Sequence, residues 1–459
     1  MFKGKRMQRA FSVPPILKEI SAHFHNAGFS VFLVGGAVRD FLLKKQACDF
    51  DIATNAKPSD VMKLFRRTIP TGIEHGTVTI LYKNIQIECT TFRTEACYKD
   101  GRHPAAVSYT AKIEDDLARR DFTMNAIAVS LPDGTMIDPF NGQADIKAGC
   151  ITTVGKPLDR FLEDGLRPIR AIRFAAQLDF IIEEKTLAAI PQAIHTTQKI
   201  SIERFRDEFS KIVTSPHPLT GLKLLEDTQL MQLFLPELTA CRDVEQKGFH
   251  RFDVLDHCFL ACSACPATHL HVRLAGLFHD IGKPAVRKKD KNGVYTFYRH
   301  EAVSEKLTRT IMKRLKYPNA TIEKTAHLVA QHMFHYEPSW TDAAIRRFII
   351  RVGKDNIADL FSLRYADTFA LAGTPVEPTF LTELSARIDS VLQESQVLSL
   401  KDIKVNGADL LALGVPKGKI VGIILHFLLD TVIDDPLQNT RERLLDIAAA
   451  YYEHIKLKL

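Results

Sequence analysis

Apolar residues at Ile16, Leu17, Ile20 and Phe24 recur at helical spacing, and Gly28 closes the stretch, so residues 14–28 are expected to form an amphipathic helix. Ser30 to Val34 (SVFLV) then reads as a buried strand running into Gly35 and Gly36, with a helix following through Val38, Leu42 and Leu43. Alternation over 49–53 and 77–82 predicts two further strands, and 85–92 predicts a third. From about Leu158 onward the pattern becomes almost wholly helical. Long amphipathic stretches there are broken at Pro191, Pro216, Pro218, Pro236, Pro266, Pro338 and Pro375. The expected fold class is a mixed α/β head (a mixed sheet with helices) followed by an all-α remainder.

A chain of 459 residues is too long for one ordinary core, which implies two to four domains. A hydrophobic fraction of 46% and a charged fraction of 25% are those of a globular protein. The net charge of +7 permits a polyanionic partner without demanding one. Eight cysteines are scattered, and the one cluster, Cys258, Cys262 and Cys265, lies on a helical stretch that cannot converge them on zinc. They read as free thiols in a reducing compartment. The basic start of the chain has no apolar run behind it, and Ile420 to Ile433 contains His426 and Asp430 and is shorter than the ~20 residues of a membrane helix. A cytoplasmic protein without a membrane partner is expected, and no protein partner is evident.

Chemistry enters at Gly35–Gly36. Glycines at a strand-to-helix turn let backbone N–H groups approach a phosphate, and Arg39 can pair with its oxygens. A tight turn needs glycine regardless of any ligand, so this signal is weak alone. Asp49 and Asp51 strengthen it, because residues i and i+2 of a strand point to one face while Phe50 turns to the core. Two adjacent carboxylates favour a cation, and open oxygen ligands suit Mg²⁺ as in two-metal phosphoryl transfer. Glu88, alternating with Ile85 and Ile87, is a candidate third carboxylate.

The stretches Leu33–Asp40 (LVGGAVRD) and Asp49–Thr54 (DFDIAT) closely resemble the opening motif of class II tRNA nucleotidyltransferases. These are the CCA-adding and poly(A) polymerase family, with a DNA polymerase beta-like head. The resemblance continues through Pro70–Val78 (PTGIEHGTV), Thr91–Glu95 (TFRTE), Asp116–Ala126 (DLARRDFTMNA), Glu163–Arg167 (EDGLR) and Glu203–Glu208 (ERFRDE). It implies template-independent addition of C and A from CTP and ATP to the 3′ end of tRNA, with Mg²⁺ on Asp49 and Asp51. It also implies nucleotide contacts from Gly35, Gly36, Arg39, Arg120, Arg170 and Arg173, and base reading by Asp164 and Arg167. Residues 163–180 read as a helix that sets Asp164 and Arg167 on one face at i, i+3. A carboxylate can accept from the exocyclic amine of C or A while an arginine donates to the ring acceptor beside it. Without the motif, the same pair would read as an exposed ion pair. Pro168 departs from the aliphatic residue usual in the family and implies a helix that starts later or kinks.

Glu95–Pro104 (EACYKDGRHP) resembles the family's flexible loop, which favours full CCA or A addition over C addition alone. Ile73–Thr77 (IEHGT) stands where bacterial poly(A) polymerases carry a GRRF-like stretch, which favours the tRNA reading. In the helical remainder, His257, the His279–Asp280 doublet, His300 and Asp367 occur in words (LDHCFLA, LFHDIGKP, FYRHEAV, LRYADT) that resemble the HD superfamily of metal-dependent phosphohydrolases. That resemblance implies a second divalent-metal site on His257, His279, Asp280 and Asp367, with His332 and His327 as further candidate ligands. The expected division is a head at 1–157, a neck at 158–225, a body with the HD motif at 226–380, and a tail at 381–459 for tRNA binding. The alternatives are an A-only or poly(A)-adding enzyme, and a mainly hydrolytic HD enzyme whose head only binds RNA.

Overall fold

The computed structural model describes residues 11–45, 49–98, 104–246, 251–374, 378–394 and 399–456. It divides into two units. The first is Met1–Thr239 with Arg314–Lys316, and the second is Ala240–Lys313 with Tyr317–Leu459.

The first unit is built on a seven-stranded sheet. Its strands are β1 (Val31–Val34), β2 (Phe50–Thr54), β3 (Thr68–Gly72), β4 (Thr77–Tyr82), β5 (Ile85–Thr91), β8 (Ala128–Ser130) and β9 (Met136–Ile137). A separate hairpin pairs β6 (Arg93–Tyr98) with β7 (Pro104–Tyr109). The sheet order is β3-β4-β5-β2-β1-β8-β9. Within this sheet only β2 and β5 are parallel, and their register sets Asp51 against Glu88. Helix Pro15–Asn26 lays Leu17, Ile20 and Phe24 against β1. Val34, Ala53, Phe92, Leu117 and Ala128 form a buried cluster on the other face, which at its open end carries the Asp51 carboxylate. Phe50 is only half-buried, so Ile52 and Ala53 rather than Phe50 tie β2 into the core.

Helical segments follow from Pro157. The expected single helix over 163–180 is instead two: Pro157–Glu163, then Arg167–Leu178. Asp164 lies outside both with extended backbone (φ −139°, ψ 110°), so Asp164 and Arg167 do not share a helical face. Pro168 is the reason, since proline in a first turn lacks only an N–H that has no intrahelical partner anyway, and that is where the chain restarts.

The second unit packs helix Val254–Ala264 against Leu270–Phe278 and Ile357–Ala372, with Asn319–Gln331 on Leu270–Phe278. Gly282 permits a close approach here, because a Cβ would lie 2.6 Å from the Ser304 nitrogen and 2.7 Å from the His300 carbonyl oxygen. The helical expectation missed a small hairpin, Lys288–Lys289 paired with Tyr295–Thr296. Helices Gly407–Ala412, Lys419–Asp434 and Arg441–Lys456 close on a cluster centred on Leu410, Ile424, Leu428 and Leu444. No helix among the described residues is long and apolar enough to cross a membrane.

Candidate active site

In the first unit, a cavity of about 530 Å³ opens over β1, β2 and β5, lined by seven arginines and four carboxylates. Gly35 forms its rim at φ 72°, a left-handed conformation that glycine adopts without strain. A Cβ there would meet Arg120 Nη1 at 3.3 Å and Asp51 Oδ2 at 3.5 Å. Asp51 and Glu88 stand side by side on the parallel strands. Although its side chain reaches solvent in the cavity, Asp51 is recessed, and that position raises its pKa. The Glu88 charge adds to the rise, and Arg120 partly offsets it. Asp49, one residue before β2, is exposed and is not among the residues lining the cavity.

The arginines are held in a scaffold. Arg39 donates to Asp40 (2.7 and 2.9 Å) and to Asn125 Oδ1 (3.0 Å). Arg119 and Arg120 pair with the buried Asp116, at 2.7 and 3.3 Å. Arg170 pairs with Asp121 at 2.6 Å. Burial would push the Asp121 pKa up, but the Arg170 guanidinium outweighs it and holds the carboxyl at about 2. Arg173 sits 2.8 Å from Glu208. Burial and the neighbouring Arg170 charge bring Arg173 down to about 10. Arg39, Arg170 and Arg173 surround the Phe174 ring at 5.2, 5.5 and 4.0 Å from its centroid.

Asp164 and Arg167 line the same cavity with different partners. Asp164 accepts from Leu166 N (3.0 Å) and Arg204 Nη2 (2.9 Å), whereas Arg167 donates to Glu163 (2.6 Å) and to the Arg119 carbonyl (3.0 Å). The sequence reading thus lacked Asp116, Arg119, Asp121, Asn125, Arg204 and Glu208. Each lies inside a motif word already marked as significant, and a buried charge partner for every clustered arginine was the signal available. Of the 95–104 loop, residues 99–103 lie outside the described residues. Its flanks belong to the paired strands β6 and β7.

In the second unit, the Nε2 atoms of four histidines converge on two carboxylates. Asp280 Oδ2 faces His257 (3.4 Å), His279 (3.3 Å) and Lys283 Nζ (2.5 Å), while its Oδ1 faces His300 (3.0 Å) and His332 (3.8 Å). Asp367 Oδ1 lies 3.2 Å from His257 and 3.6 Å from His279. The Nδ1 atoms of His279, His300 and His332 lie 2.7–2.9 Å from backbone carbonyls, to which only a protonated Nδ1 can bond. Burial lowers the His279 pKa, but Asp280 and Asp367 overcome this and raise it to about 10. His332 is driven to about 3 by burial and by the His279 charge. His327 does not join the cluster, because its Nε2 bonds the Val352 carbonyl at 2.7 Å.

Comparison with known proteins gives these features a class. The Poly A polymerase head domain model matches residues 31–152, a model of a probable RNA and SrmB-binding site of polymerase A matches 179–242, and a putative tRNA nucleotidyltransferase domain 2 model matches 292–448. Fold and family together define a nucleotidyltransferase with the polymerase beta-like head. The chain is 32% identical to the CCA-adding enzyme of Enterococcus faecalis across 95% of this chain and 94% of the other. It is 47% identical to the Bacillus cytotoxicus CCA-adding enzyme over 234 residues, which is 51% of this chain and 57% of the other. The crystal structure of the Bacillus stearothermophilus CCA-adding enzyme in complex with CTP superposes with a TM-score of 0.75 at 27% identity, covering 97% of this chain and 100% of that one. The chain belongs to the CCA-adding enzyme family of tRNA nucleotidyltransferases.

Proposed function

We propose that this protein completes or repairs the CCA end of tRNA in the cytoplasm, adding C and A from CTP and ATP. The observation that carries this reading is the pairing of Asp51 with Glu88 at the floor of an arginine-lined cavity, in a chain whose relatives are CCA-adding enzymes. The donor set fits Mg²⁺, since its members are oxygens, and a divalent cation would relieve both the burial of the Asp51 charge and its repulsion from Glu88, which together raise its pKa. Asp51 and Glu88, with Asp49 at the strand entrance, would hold it. When bound, Mg²⁺ supplies activation of the primer 3′-hydroxyl and neutralisation of the triphosphate. The arginine wall, with Gly35 and Gly36 at the rim, binds the triphosphate anion. The 3′-oxygen bonds to the α-phosphorus as the bond to the β-phosphate oxygen breaks, and pyrophosphate leaves. For Asp164 and Arg167 to read a base, Arg167 must exchange Glu163 for the base edge, while Asp164 offers a lone pair that Leu166 N–H and Arg204 leave free. The division at residues 157, 225 and 380 belongs to this reading, with the tail holding tRNA.

The test offers tRNA transcripts ending before C, after CC and after CCA, each with CTP, ATP or both. Growth to CCA and no further is expected. Growth only from CC would make it an A-adding enzyme, and growth beyond CCA a poly(A) polymerase. Products unchanged in Asp49→Ala/Asp51→Ala would overturn the catalytic assignment.

The histidine cluster supports a second reading in addition to the first. Inward Nε2 atoms and two buried carboxylates form a mixed nitrogen–oxygen donor set that suits a divalent transition metal. Tying Nδ1 to carbonyls orients those rings. Such an ion, when bound, supplies an activated water for phosphoester hydrolysis. Metal analysis of the purified protein should find an ion that His279→Ala loses. Equal metal content in both proteins would remove this reading.

A further inference from the structure

Beside the histidine cluster lies a second cavity, of about 590 Å³, within the size range of small-molecule sites. Asp280, His300 and Asp367 form part of its floor, and one wall is the segment 295–299, which begins in the second strand of the small hairpin. Residues 287–299 (RKKDKNGVYTFYR) carry five basic side chains and one acidic one. That acid, Asp290, is turned into its own loop, where its carboxylate accepts from the Asn292 and Val294 backbone N–H groups, each at 2.9 Å. Lys288, Lys289, Lys291 and Arg299 remain exposed. Aromatic rings interleave with them. Tyr295 lies 3.7 Å under the Arg287 guanidinium and 5.0 Å from Lys289 Nζ, and Tyr298 is 82% exposed at the cavity wall.

Basic side chains tracking a backbone, together with an exposed aromatic face, are what sequence-tolerant binding of single-stranded nucleic acid requires. We propose that residues 287–299 form a docking surface for single-stranded RNA that feeds a strand end into this cavity. The inference rests on the phosphohydrolase reading for what happens to that end, and not for the binding itself. A free mononucleotide fits the cavity alone and leaves Lys288, Lys289 and Lys291 without anions. A strand satisfies both surfaces, with a base stacked on Tyr298, the preceding phosphates on the lysines and the terminal phosphate directed at Lys283, His300 and Arg364 in the cavity lining. An acidic peptide would match the charges but makes no use of the exposed ring.

The probe is fluorescein-labelled octa-adenylate ending in a 3′-phosphate, which the head cannot extend, titrated into the full chain by anisotropy. Tyr298→Ala should weaken binding about tenfold, the loss of one base stack. Lys288→Gln/Lys289→Gln should reduce the slope of log affinity against log salt by about 1.4. Amide exchange should show protection over 287–299 when the RNA is added. Unchanged affinity and slope in both variants, no protection over 287–299, or equal binding of polyglutamate would overturn the proposal. His279→Ala separates the two readings: it should retain RNA binding while losing metal. A wild-type protein that binds no metal but shows the Tyr298 effect removes the hydrolytic reading and leaves this surface standing.

Discussion

In the head, Asp51 and Glu88 stand on parallel strands at the floor of an open cavity, and burial, with the Glu88 charge beside it, raises the Asp51 pKa. In the helical unit, Asp280 and Asp367 are equally crowded but more deeply buried. Four imidazoles and Lys283 surround them, and both carboxyls are held well below the usual range. The first site leaves like charges facing each other across space that solvent enters, an arrangement suited to an exchangeable hard cation arriving with a triphosphate. The second sets its carboxylates against Lys283 Nζ and four imidazoles, so groups that can carry or donate positive charge already face them. Charge balance, more than the residue types, separates an open site of like charges from one whose charges also tie helices together.

The largest expected effect breaks the first half of this comparison. Asp51→Ala should lower nucleotide incorporation by at least about a thousandfold, because it removes stabilisation realised in the transition state. It should leave the urea midpoint unchanged or slightly raised, since a raised carboxylate pKa marks a charge the fold tolerates at a cost. Incorporation within tenfold of wild type would show that Asp51 is not a metal ligand.

Asp280→Ala should do the reverse. It strips the countercharge from Lys283 and His279 in a buried place, which costs about 3–5 kcal/mol in urea unfolding. CTP and ATP incorporation per folded molecule should stay within twofold, because Asp280 belongs to the second unit. A cost below about 1 kcal/mol would mean that the cluster is not an ion-pair network of the kind the distances indicate.

Asp121 brings the enclosed type of carboxylate into the head. Its pKa of about 2 lies below the unfolded value of about 3.9, so its contribution is fully present above the unfolded value and is lost as pH falls through the folded one. The pH-dependent part of the stability difference between wild type and Asp121→Asn should amount to about 2.6 kcal/mol near pH 7. It should hold steady down to about pH 4 and shrink below that. A difference that grows on acidification would contradict the Arg170 pairing.

These contrasts were unevenly legible in the chain. Strands β2 and β4 follow from alternation, and β5 reads as a third strand beside them. The Asp51–Glu88 contact depends on parallel pairing of strands that are not consecutive, and no local pattern encodes that. Residues 163–180 read as one helix because their apolar period is unbroken, yet Pro168 begins a new one and moves Asp164 into a turn. His300 and His332 were visible as words, and their approach to one Asp280 oxygen is a fact of packing. The 288–296 hairpin has strands of two residues each, too short for any periodicity.

The smallest effect tests what Asp164 does between turnovers. One of its oxygens is taken by the Leu166 N–H and the other by Arg204, while Arg167 is turned to Glu163. On the proposed base-reading role of Asp164, Arg204 acts as a positioning residue that holds the carboxylate and leaves a lone pair for a base amine. Arg204→Ala should lower the preference for CTP over UTP about tenfold, equivalent to losing one charge-assisted hydrogen bond. Asp164→Ala should lose more, because an amine-reading acceptor is then absent altogether. A merely structural Arg204 would lower thermal stability and total incorporation with the CTP:UTP ratio intact, and Arg204→Lys would restore stability alone. Recovery of the ratio by Arg204→Lys, with KM for CTP moving more than kcat, is the outcome that a held Asp164 requires.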